Sequence, residues 1–258
     1  MSCGDLKPVM WQRQPVLPLE IQRFLRARIE AALECPADRA LLVWPTVLGA
    51  PRLRAQFPMG LPEGELFTFA AKMLAAVDRK DPAQAWTDAL ERLPDTAEAG
   101  SSGWMPHPSW GHLGPLVSLR CGVALTALTG LPEGNAYPLS AGVLLFQSAL
   151  FHETHDALEG LWKDSEGDLR QGLQGLILMT AGYHHQQLHR REGMLAVWED
   201  ALERLAKFQG LLSTPWGTVR FDQAFTATAA RLEWLRESED EADLSLLFEM
   251  DRPQWELK

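Results

Sequence analysis

FHETHDALEGLWKDSEGDLRQGLQGLILMTAGYHHQQ, residues 151–187, is the stretch on which the fold turns. A polar segment, KDSEGD (163–168), separates two runs whose apolar residues recur every three or four positions, the period of an amphipathic helix. The first run begins upstream and predicts a helix over 139–162. The second predicts a helix over 168–189, with Leu173, Ile177, Thr180 and His184 on one stripe. So short a connection makes the two helices antiparallel neighbours. The same period continues over 192–209, where Gly210 stops it, and over 221–236. Strand-like alternation is missing from these segments. The expected class is all-α: an antiparallel helical hairpin array or bundle.

The hairpin also holds the chemistry. All seven histidines lie between 107 and 189, and His152, His155, His184, His185 and His189 fall on the two helices. His155, Glu159 and Trp162 are spaced four and three apart, which places them on one helical face. An imidazole and a carboxylate one turn apart can grip one divalent ion, or form an acid/base pair. They can equally be a structural hydrogen-bonded pair on a buried seam. The histidines of HETH (152–155) are three apart rather than four, so this is not the HExxH zinc-protease motif. A metal site needs a third ligand, and His152, Glu153 and His184 compete for the place; Asp156 crowds the same turns. Reflecting the hairpin about residue 165 puts His155 opposite Gln174. His184 falls roughly 13 Å further along at 1.5 Å per residue, although helix tilt could bring it towards His152. Gly175 would let the two helices approach closely, and Trp162 would form a buried wall of the site.

The residues from about Leu139 to Leu235 resemble a bacterial and archaeal family called domain of unknown function 309. Its HxxxExx(W/Y) motif is matched by His155, Glu159 and Trp162, and its LQGLIQ…H helix by LQGLILMTAGYHH, 173–185. WGTVRF (216–221) is similar to a later glycine-containing turn of that family. The resemblance carries over to His155, Glu159, Trp162, Gln174, Gly175 and His184, and implies metal binding at the motif. Two positions depart from the pattern: Asp156 stands where a Glu usually follows the histidine, and Arg190 where an Asn usually sits.

Composition narrows the function classes. The net charge is −10, of which residues 139–258 carry −9, from 20 acidic and 11 basic side chains. Such a half repels phosphate backbones, so nucleic-acid partners are disfavoured. Arg23, Arg26 and Arg28 read as a solvated helix face rather than a phosphate site. The longest apolar run, Leu113 to Leu131, is interrupted by Gly114, Pro115 and Arg120 and falls short of the roughly 20 residues a bilayer needs. Cys3, Cys35 and Cys121 form no CxxC pair, and MSCGDLKPVMWQRQP is no signal peptide. A cytoplasmic protein is expected.

Elsewhere helices are expected over 19–35, 64–79, 82–93 and 116–129. Residues 45–62 and 94–115 are rich in Pro and Gly and read as loops; the second holds Trp104, His107, Trp110 and His112. ALLVW (40–44) fits a short strand or a buried helical turn. LPEG at 61–64 and 131–134, each followed by a DALExL segment, hints at a degenerate repeat in the N-terminal half, with Thr87 standing where the second copy has His155. Three regions result: 1–115, 116–236 with the motif, and an acidic then apolar tail, 237–258, whose LSLLF (244–248) is expected to dock. The functions that fit are a site for one divalent ion (zinc, manganese or nickel), hydrolase-like in chemistry, or a non-catalytic helical module binding a peptide or small polar ligand.

Overall fold

A computed structural model describes residues 10–34, 36–77, 86–87, 90–91, 93, 97–100, 103–129, 131 and 137–258. The expected helix at 82–93, most of LPEG at 131–134, and Cys3 and Cys35 lie outside the described residues in whole or part. The chain is mostly helical, and none of the described helices is long and apolar enough to cross a membrane. It divides into two units, Leu17–Gly130 and Met1–Val16 with Leu131–Lys258.

In Leu17–Gly130, α1 (Leu19–Glu34) buries Ile21, Leu25, Ile29 and Ala32, as its period requires. A 3-10 segment, Pro36–Leu42, leads into α2 (Val43–Leu48), so ALLVW is helical. The expected loop at 45–62 instead holds α2 and α3 (Pro51–Gln56). Pro45 and Pro51 fall in first turns, where no intrahelical N–H is needed. Next come α4 (Glu63–Val77), a hairpin of β1 (Ala97–Gly100) and β2 (Gly103–Pro106), a 3-10 segment at Pro108–Leu113, and α5 (Gly114–Leu128). The second expected loop is thus partly a hairpin, tied to Leu61 by paired backbone hydrogen bonds with Trp104. Trp110 is buried against Phe24, a core plug rather than a site residue. The expected boundary at 115/116 moves to 130/131, because α5 packs on α2 and Ser118 Oγ donates to Thr46 O at 2.5 Å.

The other unit stacks consecutive helices: α6 (Tyr137–Gln147), α7 (Phe151–Lys163), α8 (Gly167–Gln187), α9 (Arg191–Ala206) and α10 (Asp222–Glu237). Each packs on the next along α6 to α9, and α10 returns onto α9. The single helix expected over 139–162 is two. Ala149 takes a left-handed φ of 57°, and the Leu150 N–H turns back to Leu145 O, so the chain changes direction before α7. A non-glycine residue there is strained; the buried Gln187 amide donates to the Ala149 carbonyl at 2.9 Å and helps hold it.

Gly175 does not serve the α7–α8 approach. A Cβ on it would lie 2.6 Å from Leu205 Cγ, so it opens space for α9, as Gly172 does for Leu212 and Gly182 for Trp198. The aromatic core runs through Phe146, Phe151, Tyr183, Trp198 and Trp255, with Phe146 and Trp255 stacked at 3.8 Å.

One feature was not anticipated. The WGTVRF region forms a three-stranded antiparallel sheet, β3 (Leu211–Thr214), β4 (Gly217–Arg220) and β5 (Glu256–Leu257), too short for periodicity to reveal. The apolar LSLLF of the tail docks, as expected. Its 3-10 segment Leu244–Phe248 docks through Arg231, which has no solvent exposure and donates to Leu247 O, Met250 O, Ala227 O and Gln186 Oε1. Burial lowers the Arg231 pKa, and the faces of Trp11 and Tyr183, 5.5 and 5.6 Å away, offset part of that cost.

Candidate functional site

The site residues stand on α7, which shows its apolar face (Phe151, Thr154, Leu158, Leu161) to the core. At 100° per residue, His155, Glu159, His152, Lys163 and Asp156 follow one another around the opposite half. Exposure varies across that half: the His155 side chain is 37% exposed, Glu159 28%, His152 31%, Lys163 60% and Asp156 6%. Water therefore reaches most of this face, while the Asp156 carboxylate is shielded.

Side-chain ligand atoms of His155, Asp156 and Glu159 come within 4.8 Å of one another. The expected pair of His155 and Glu159 is brought together, and the third member is Asp156 rather than His152, Glu153 or His184. The residue that departs from the family pattern is thus the hub. Asp156 Oδ1 stands 3.2 Å from His155 Nδ1, and Oδ2 stands 3.2 Å from His152 Nδ1. Glu153 lies about 160° around α7 from His155 and is buried in the core. Glu159 also pairs with Lys163 at 3.4 Å, an exposed ion pair worth at most about 1 kcal/mol.

His184 and His185 on α8, and His189 just beyond it, diverge. The His184 ring meets the His152 ring edge to face at 5.2 Å. His185 packs over Gly193 of α9, and His189 stacks on Phe248. Burial, then Arg190, lowers the His185 pKa. Burial and Arg13 lower that of His189 against the opposing pull of Asp243. Both imidazoles are held towards the neutral form, away from the α7 cluster.

The remaining expected positions serve other ends. Gln174 is half-buried on α8, and among the described residues its amide makes no side-chain hydrogen bond. Trp162 is half-buried rather than enclosed. Its cover is the Arg170 guanidinium, 4.1 Å above the ring, whose Nη1 also donates to the carbonyls of Trp162, Lys163 and Ser165 at the α7 C-terminus. Arg170 had no periodic signal; Asp156 had one. His152–Asp156 and His155–Glu159 are two interleaved pairs at the same four-residue spacing, and only the second was weighted.

This donor set fits a divalent ion. Ligands bonded at 2.0–2.2 Å in tetrahedral or octahedral geometry stand about 3.0–3.6 Å apart. The His155–Asp156 separation is already there, and the Glu159 side chain has the freedom to close the remaining gap. Residues 139–197, from α6 into α9, match the family model described as domain of unknown function (DUF309). No curated protein and no solved structure matches the chain.

Proposed function

We propose that the DUF309 segment of this chain holds one divalent ion on His155, Asp156 and Glu159, with hydrolase-like chemistry on a small polar molecule or peptide. The observation that carries this is the convergence of one imidazole and two carboxylates on the half-exposed face of α7. Three protein ligands and an open side towards solvent are the pattern of catalytic rather than purely structural ion sites. A divalent ion supplies Lewis-acid activation of water. The chain's own residues prepare the rest. Asp156 orients the His155 ring, Lys163 holds Glu159 until an ion competes for it, and Trp162 under Arg170 walls the C-terminal edge. One nitrogen and two oxygens suit zinc, manganese or nickel.

The test is calorimetric titration of metal-stripped protein, purified without a histidine tag, with each of the three ions. Wild type should take up an ion saturably, and His155→Ala should abolish uptake with little loss of stability. No saturable uptake, or the same uptake in the variant, overturns the metal reading. It would leave α7 as the face of a helical module that binds a peptide or small polar ligand.

A further inference from the structure

Two stretches of the chain, residues 39–62 and 99–132, contain no aspartate or glutamate, although 34 of the 258 residues are acidic. The fold brings them against one another. The Leu61 and Trp104 backbones exchange hydrogen bonds of 2.8 Å, and Gly60 meets Gly103 beside that pair. Both glycines have left-handed φ, +123° and +147°, and a Cβ on Gly103 would stand 2.4 Å from Leu61 O. Glycine alone permits so close an approach in that conformation. The approach leaves an open groove between α2, α3 and β2, measuring about 280 Å³ with its mouth included. Leu48 and Leu61 line it and are buried, Phe57 and Trp104 line it half-buried, and Arg54 brings the charge.

We propose that this groove docks a segment of a partner protein in which one apolar side chain stands between carboxylates. The groove is open and falls below the about 300–1,000 Å³ of pockets that enclose small molecules, so it suits a single anchoring side chain. Trp, Phe, Met and Arg are the residue types that protein interfaces favour. Met59, between the lining residues Pro58 and Gly60, is 69% exposed, and Met105 is 37% exposed. Large flexible apolar side chains left in water beside a groove mark a contact surface. Charge names the partner. Arg54 Nη1 rests against Gly114, where an added Cβ would stand 3.0 Å from it. Among the described residues neither Arg54 nor Arg52, exposed two positions away on α3, has a carboxylate partner. A guanidinium presents a fork of donors that matches a carboxylate. In a chain of net charge −10, an apolar groove built from acid-free stretches and flanked by two such cations is complementary to an acidic segment. The Gly60–Gly103 approach holds the groove preformed, which limits the ordering cost of docking.

The test is fluorescence polarisation of a fluorescein-labelled peptide, one leucine flanked on each side by two glutamates, titrated with the full-length protein. Saturable binding is expected. Exchanging the leucine for alanine, or the glutamates for lysines, should weaken it at least about tenfold. Arg54→Glu should weaken the acidic peptide by a similar factor and admit the lysine peptide in its place. Added salt should weaken the acidic peptide on wild type. No saturable binding, equal binding of the acidic and lysine peptides, or binding unchanged in Arg54→Glu overturns the proposal. A wild-type dimer in sedimentation velocity that Arg54→Glu breaks overturns it too, because the occupant is then a second copy. Should Arg54→Glu fail to fold by far-ultraviolet circular dichroism, Met59→Glu decides instead. That side chain is largely exposed, and a carboxylate beside the groove should repel the acidic peptide and leave the fold intact; unchanged binding there overturns the proposal as well.

Discussion

Gly182→Ala should destabilise the protein, although the same change at Gly160 should stabilise it. Both glycines lie inside helices, where alanine is intrinsically favoured by about 1 kcal/mol. They differ in what a Cβ would meet. At Gly160 on α7 it meets nothing within 4 Å, so the full backbone gain of about 0.5–1 kcal/mol should appear. At Gly182 on α8 it would stand 2.0 Å from Trp198 Nε1, 2.2 Å from Cδ1 and 2.6 Å from Cε2. The indole must then move by more than 1 Å within a full core. Overpacking of that kind costs about 1–3 kcal/mol. The Trp198 Nε1 hydrogen bond to Met179 O would be lost too, about 1 kcal/mol more. After the helix-propensity gain the net loss is about 1–3 kcal/mol. Urea unfolding of both variants at one pH, with the slope checked for constancy, measures the pair. A midpoint for Gly182→Ala at or above that of Gly160→Ala would refute the close α8–α9 approach.

Arg231→Met should cost about 3 kcal/mol or more, because it strands the carbonyls of Leu247 and Met250 and the Gln186 side chain. Limited proteolysis should then release residues 244–258 first, and an unchanged cleavage pattern would show that Arg231 does not hold the tail. Trp162→Ala should cost about 1–2 kcal/mol, since the indole is not fully buried under Arg170, while Trp198→Ala should cost the 3–5 kcal/mol of a fully buried ring; equal losses would refute the difference. His185 and His189 have folded pKa values below the unfolded value of 6.5, so the unfolded chain binds more protons between the two. Stability of the metal-free protein should therefore be full above about pH 7 and fall as pH drops through 6.5, by less in His185→Gln than in wild type, as urea midpoints at pH 7.5 and 5.5 will read.

The long helices were legible because their cores are periodic: Leu173, Leu176, Met179 and Tyr183 on α8 recur at helical spacing and are buried. What escaped was local. The Ala149 break has no glycine or proline to announce it, and its hydrogen-bond support comes from Gln187, 38 residues away. The strands β3 to β5 have at most four residues each, below the length at which alternation can be read. At the site, His155 and Glu159 followed from spacing on one helix, as did the face they share. Gly175 was misassigned because a glycine does not say which neighbour it admits. Asp156 was underweighted because its place depends on two imidazoles at once, a relation visible only when both spacings are laid on the same turn.

Trp11 has a bearing on the order in which this unit folds. Its indole N–H donates to Phe248 O at 3.0 Å, a contact spanning 237 residues, and its ring packs on Phe151, Tyr183 and Phe248. Closing so long a loop costs entropy that only already formed helices can offset. Such non-local contacts form late, so the aromatic core under α7 and α8 is sealed last. A fragment cut to the family match at 139–197 would omit Trp11 on its N-terminal side and Arg231 and Trp255 on its C-terminal side. It would expose Phe146, Phe151 and Tyr183 to water and invite aggregation. Ion-binding measurements therefore belong on the whole chain.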